Sequence, residues 1–279
     1  QQSAVGATAW NKLFDETIAN LKFNIDKKFL SLEEVLNKFG ENNRNERKKA
    51  AESLTSVLSK NIALFSRITN TLTKEKSIED KWRKFPSPQF SRHLSNDVEP
   101  EVVNALRDAV VDSYSTTSHR YYKLKAKWLN LKKLQIWDRN APLSEAQEKL
   151  ISWEEAREIV TSAYNAFDDR MNPLIQPFFQ NGWIDAAVKP GKAPGAFSHP
   201  TVSDVHPYIL LNYQGKQRDV MTLAHELGHG IHQTLSSSQG EILSNTPLTL
   251  AETASVFGEM LTFQMMLAES KTEFERKQL

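Results

Sequence analysis

Helix breakers are spread unevenly along this chain, and that unevenness constrains its architecture more than any other feature. Few of its 11 prolines and 10 glycines precede residue 173, whereas Pro173, Pro177, Gly182, Pro190, Gly191, Pro194, Gly195, Pro200 and Pro207 then follow in quick succession. Long helices are expected up to about Met171, and loops with short strands after it. Between Ala51 and Leu72 the apolar residues Ala51, Leu54, Leu58, Ile62, Phe65, Ile68 and Leu72 step by three and four, which places them on one helical face suited to packing. Ser31 with Glu34 and Ser152 with Glu155 have the spacing of capping boxes and mark two helix starts. Leu21, Phe23 and Ile25 alternate as in a strand, with a hairpin turn expected at Asp26-Lys27-Lys28.

Within the broken stretch, Tyr208–Tyr213 is rich in β-forming residues and is flanked by Pro207 and by Gln214-Gly215, so it is read as a strand. Helix resumes at about Asp219, a suitable N-cap, and runs through His225. The expected fold class is mainly α with a small β-sheet beside this helix. Residues 1–150 form a helical region and 151–279 a metal-binding region.

Composition narrows the function classes. A 39% hydrophobic content supports a globular core. The 35 basic and 34 acidic residues nearly cancel, which gives no reason to expect nucleic acid or a membrane as partner. No run of 18 apolar residues and no signal-like N-terminus occurs, so a soluble, cytoplasmic chain is expected. With Gln1 at its start and a helix-like sequence at Leu279, the chain reads as cut at both ends. There is no cysteine, so any metal must be held by His, Asp or Glu.

His225 and His229 are four apart, and a helix carries both imidazoles to one face at a spacing that suits a single ion. Glu226 beside them can reach a water on that ion as a general base without filling a coordination position. Gly228 lets another element approach closely. A third donor is needed. The metzincin pattern would place Gly at 232 and His at 235, but the residues are His232 and Leu235. Glu252, 27 positions after His225, is the alternative, on a following helix that folds back. Spacing alone leaves Glu252 between ligand and cap, because Thr249 lies three residues before it. Glu259 lies two turns further on, between a hydrogen-bond acceptor for a ligand histidine and a solvated glutamate. Asp219 stands between N-cap and outer support, and His232 between outer support and core. Gly191-Lys192 lacks the order of a phosphate-binding loop.

Residues 190–199, the run from His206 to Gln233 and the segment from Leu250 to Glu259 together resemble the core of peptidase family M3, specifically its oligoendopeptidase F subgroup. Gly182-Trp183-Ile184-Asp185 fits the same group. The resemblance implies a helical zincin-type fold with a channel for short peptides, and Zn2+ held by His225, His229 and Glu252. Glu226 would take a proton from the attacking water and pass it to the leaving amine. It further implies that Tyr208–Tyr213 is an edge strand pairing with the substrate backbone, and that Gly195, Ala196, His199, His206, Tyr208, Leu210 and Asn212 contact peptide. The family carries a later segment with histidine and tyrosine that stabilises the tetrahedral intermediate, and this sequence stops before it. The expected function is therefore a zinc endopeptidase for short peptides, with an inactive zinc- or peptide-binding helical fragment as the alternative. An exopeptidase would need a group that recognises a free terminus, and no motif for one is found.

Overall fold

Residues 2–143 and 150–279 are described by a computed structural model of the chain. They divide into two units, Gln1–Glu145 with Pro190–Pro194 and Ala146–Lys189 with Gly195–Leu279.

In the first unit, α1 (Gln2–Val5) and α2 (Ala7–Asn20) lead into a hairpin of β1 (Phe23–Ile25) and β2 (Lys28–Leu30). The turn is Asp26-Lys27, both at positive φ (50° and 68°), as a two-residue connection with the native twist requires. Then come α3 (Leu32–Asn37), α4 (Arg44–Lys60), α5 (Ile62–Arg83), α6 (Phe90–Ser95), α7 (Pro100–Ser113) and α8 (Ser118–Trp128). The box at Ser31 forms: its hydroxyl accepts from the Glu34 N–H, and its own N–H donates to the Glu34 carboxylate at 2.7 Å. The apolar stripe over 51–72 is split between two helices at Asn61, whose side chain donates to the Val57 carbonyl at 2.9 Å. Asparagine competes with the helix in this way. Ala51 and Ile68 are buried, while Ile62, next to the break, is exposed.

The same unit has a small core of Phe23, Ile25, Val35 and Ala50 and an ionic cluster centred on a buried aspartate. Asp138 is fully buried and receives two hydrogen bonds from Arg44, both at 2.9 Å, and one from Arg47 at 3.1 Å. Arg47 also donates to the carbonyls of Glu41, Asn42 and Trp137. The pairing satisfies charges that would otherwise be costly to bury.

The second unit opens with α9 (Trp153–Phe167) and α10 (Asn172–Gln180), followed by β3 (Ile184–Ala187), β4 (Phe197–His199) and β5 (Tyr208–Tyr213). The helices α11 (Gln217–Ser236), α12 (Gly240–Leu243), α13 (Leu248–Glu269) and α14 (Glu273–Gln278) complete it. Val220, Leu223, Ala224, Leu227 and Ile231 recur on one face of α11 and pack with Val160, Phe178, Ile209 and Leu211. The chain is thus mainly helical, with a small sheet against α11.

The sheet order is β3-β5-β4, with β3 parallel and β4 antiparallel to β5. This corrects the expectation that Tyr208–Tyr213 is the edge strand. Both of its sides are occupied, Ile209 and Leu211 are buried, and the edge beside α11 is β4. Asp219 is not the N-cap either. The helix starts earlier, with Lys216 at that position, and the Asp219 carboxylate folds back to accept the N–H groups of Gln214 (2.9 Å) and Lys216 (3.0 Å). A carboxylate in the first turn also suits the positive end of the helix dipole.

Candidate metal centre

The site is built on the antiparallel crossing of α11 and α13. A Cβ on Gly228 would lie 2.6 Å from the Ala254 carbonyl, and one on Gly258 would lie 2.8 Å from the Ala224 carbonyl. Each helix therefore presents a glycine where the other's backbone passes, and only hydrogen in place of a side chain lets the two approach this closely. Tyr164 of α9 locks the crossing from beneath, donating to the Ala224 carbonyl at 2.9 Å. Its burial, together with the negative charge of Glu259, pushes its hydroxyl pKa upward, so it stays a donor.

Close approach brings one donor atom each from His225, His229 and Glu252 within 4.8 Å of one another. The Glu252 Oε2 lies 3.4 Å from His225 Nε2 and 3.6 Å from His229 Nε2. A tetrahedral zinc ion about 2.0–2.2 Å from each ligand spaces its donors about 3.3–3.6 Å apart, so these residues fit the group. The N-cap of α13 is Pro247, which places Thr249 inside the helix and removes the capping role that competed for Glu252. Ser255 donates to Glu252 Oε2 at 2.8 Å.

Glu259 faces His225 Nδ1 at 2.5 Å. A carboxylate there favours the proton on Nδ1 and leaves the Nε2 lone pair free to bind a metal ion shared with Glu252. Burial lowers the His229 pKa despite the opposing pull of Glu252, which favours the neutral imidazole that metals bind. Glu226 is almost fully buried, and burial pushes its carboxyl up to about 7. His225 draws that value down, Glu252 pushes it further up, and the Ser198 N–H draws it down. A carboxyl in that range exchanges protons near neutrality.

A cavity of about 370 Å³ opens over these groups, lined among others by Ala196, Phe197, Ser198, His232, Gln233 and Thr246. Of the residues expected to meet peptide, Ala196 lies on this cavity. The others are not among its lining residues. The Gly195 carbonyl accepts from Asn212 at 2.9 Å, and His199 Nδ1 accepts from the Thr201 N–H at 3.0 Å. His206 stacks on Trp183 with centroids 3.8 Å apart. Tyr208 and Leu210 stand opposite His199 and Phe197 in the sheet. Asp219 is engaged at the helix start described above, and His232 is half-buried on the cavity wall. Ser198 and Gln233 were not singled out from sequence. The available signal was that Gln233 lies four and eight positions after the two histidines, on their face of the helix.

The profile of peptidase family M3 matches residues 40–278. The chain is 29% identical over 235 residues to the chromosomal oligoendopeptidase F of Lactococcus lactis subsp. cremoris, covering 84% of this chain and 38% of that protein. It is 25% identical over 235 residues to oligopeptidase PepF of Bacillus subtilis strain 168, covering 84% and 35%. Among solved structures, PZ peptidase A with inhibitor 2 shares the fold at a TM-score of 0.87 and 18% identity, covering 98% of this chain and 49% of that one. Oligoendopeptidase F from Enterococcus faecium does so at 0.54 and 20%, covering 95% and 41%. The chain spans less than two-fifths of the length of these two curated relatives.

Proposed function

The chain belongs to peptidase family M3, and from that premise we propose that it carries the catalytic centre of a zinc-dependent endopeptidase acting on short peptides. The observation that supports this most is the His225, His229 and Glu252 donor set with a buried carboxylate, Glu226, at its side. When bound, zinc supplies Lewis acidity that acidifies a water molecule and polarises the scissile carbonyl.

The chain's own residues do the rest. Glu259 fixes the His225 tautomer, so that Nε2 is presented without rotation of the ring. Glu226 accepts the proton released as the water oxygen bonds to the carbonyl carbon, and delivers it to the amine nitrogen as the C–N bond breaks. An extended peptide would lie in the cavity over these groups, against the wall formed by Ala196, Phe197 and Ser198. Residues 1–150 then act as the helical region and 151–279 as the catalytic region. No helix among the described residues is long and apolar enough to cross a membrane, and we place the reaction in the cytoplasm.

Elemental analysis of the purified chain and of Glu252→Ala tests the metal assignment, with cleavage of internally quenched peptides blocked at both ends run in parallel. One zinc per chain that is lost or greatly weakened in the variant supports the ligand set, and cleavage of blocked peptides supports an endopeptidase. Zinc bound without cleavage would reduce the chain to a zinc-binding unit. Failure of the parent chain to take up zinc would overturn the reading.

A further inference from the structure

The outer edge of β4 is held by α11. Ile209 donates its N–H to the Trp183 carbonyl on the β3 side. Its partner across the antiparallel ladder, Ser198, therefore sits in a pair without mutual hydrogen bonds, and the Ser198 backbone groups face away from β5. They do not face solvent. The Ser198 carbonyl accepts from Gln233 Nε2 at 3.2 Å, and Ser198, Gln233 and Glu226 line one cavity, where the Ser198 N–H helps to draw the Glu226 carboxyl pKa down. The Ser198 hydroxyl donates to Gln233 Oε1 at 2.8 Å. Both ends of one amide are thus used on one residue, which fixes the orientation of the amide as well as its position.

We propose that Gln233 is a positioning residue for the reaction. By gripping Ser198 through both its hydroxyl and its carbonyl, it sets the register of the edge strand against α11 and so fixes the cavity wall that stands beside Glu226. The inference rests on the reading of Glu226 as proton acceptor. Glu226 and Gln233 are seven positions apart on α11, two helical turns, so their side chains leave one face with a rise of about 10 Å between their backbones. That is about the length of three strand residues, which is the length of β4. Ser198, at its centre, bonds Gln233 and lines the same cavity as Glu226.

The test uses the zinc-loaded chain and three variants, Gln233→Leu, Ser198→Ala and Ser198→Thr. Three readouts are taken: zinc affinity by chelator competition, amide exchange of the segment from Gly195 to His199 by mass spectrometry, and kcat and KM on blocked peptides. Gln233→Leu removes both side-chain bonds and should speed exchange in this segment roughly tenfold or more, with zinc affinity held within about threefold because no ligand is touched. Ser198→Ala loses one bond and should fall between, while Ser198→Thr keeps the hydroxyl and should restore slow exchange. In turnover the loss should fall on kcat more than on KM. Unchanged exchange in Gln233→Leu overturns the proposal, and so does a fall in zinc affinity that parallels the faster exchange, which would make Gln233 a general support of the helix. If the parent chain binds zinc but cleaves nothing, the endopeptidase reading fails, while the exchange data still decide whether Gln233 holds the strand.

Discussion

Replacing Gly228 by alanine separates metal binding from stability in a way that follows from the crossing of α11 and α13. The added Cβ would stand 2.6 Å from the Ala254 carbonyl oxygen and 2.9 Å from Ser255 Cα. Both are backbone atoms, so no side chain can swing aside. Reaching an ordinary contact of 3.4 Å requires the helices to part by about 0.8 Å, the difference of the two distances. Overpacking of this kind costs about 1–3 kcal/mol, and alanine's better helix propensity returns about 0.8–1.0 kcal/mol. The net loss of stability is about 0–2 kcal/mol, a drop in Tm of a few degrees for the zinc-free chain. The ligand set suffers more. Glu252 lies two residues from Ala254 and moves with it, while coordination distances tolerate only about 0.2 Å. Zinc affinity, measured by competition with a chromophoric chelator, should fall about 10–100-fold, the range seen when outer supports of zinc sites are removed. Gly230→Ala provides the contrast. Its Cβ would meet the Phe178 ring at 2.7 and 2.8 Å in the core below, so it should cost stability and leave the chelator titration nearly unchanged. The reasoning would be refuted by a Gly228→Ala chain that binds zinc within about threefold of the parent.

Glu226→Gln should keep one zinc per chain and lower cleavage of blocked peptides about 10²–10⁴-fold, measured at saturating metal. Glu259→Gln should weaken zinc about 10–100-fold by removing the charged partner of the His225 N–H, which the same chelator titration reads. Asp138→Ala leaves Arg47 buried without its counter-charge and should cost about 3–5 kcal/mol in urea unfolding, with no direct effect on zinc. In the parent chain, burial alone would raise the Asp138 pKa, but the hydrogen bonds from Arg44, the Gln135 N–H and Arg47 outweigh it and hold the value at about 2, below the ordinary 3.8. A depressed carboxyl stabilises the fold fully above its unfolded value and loses that contribution as pH falls through the folded one. Unfolding followed from pH 5 to pH 2 should therefore show about 2 kcal/mol of acid destabilisation that disappears in Asp138→Ala.

Features set by residues near in sequence were legible before any coordinates. The capping box at Ser31, the hairpin before it and the face shared by His225 and His229 depend on a few neighbouring side chains, and all formed. The strand Tyr208–Tyr213 was legible as a strand but not as a central one, because the residues of a strand state its own preference and say nothing about how many neighbours it has. The start of α11 was misplaced for a related reason. Asp219 suits an N-cap by type, but the same carboxylate also works three positions later, folding back onto free N–H groups, and only the path of residues 214–216 chooses between the two. The close approach at Gly258 depends on Ala224 and on Tyr164, 34 and 94 positions away, and no local pattern announces it. Gln233 escaped notice because an amide on the histidine face looks ordinary until its partner, Ser198, is brought beside it.

A short edge strand next to a candidate metal site carries a hazard of its own. Any sheet margin with unpaired amides is a template on which a second copy of the chain can build, and repeated pairing of that kind leads to fibrils. Here β4 is only three residues long, is followed at once by Pro200, which has no N–H to offer, and has its central residue already taken by α11. Too few amides remain along this margin for a ladder to propagate from copy to copy, so this side of the sheet is protected against self-assembly where it borders the cavity.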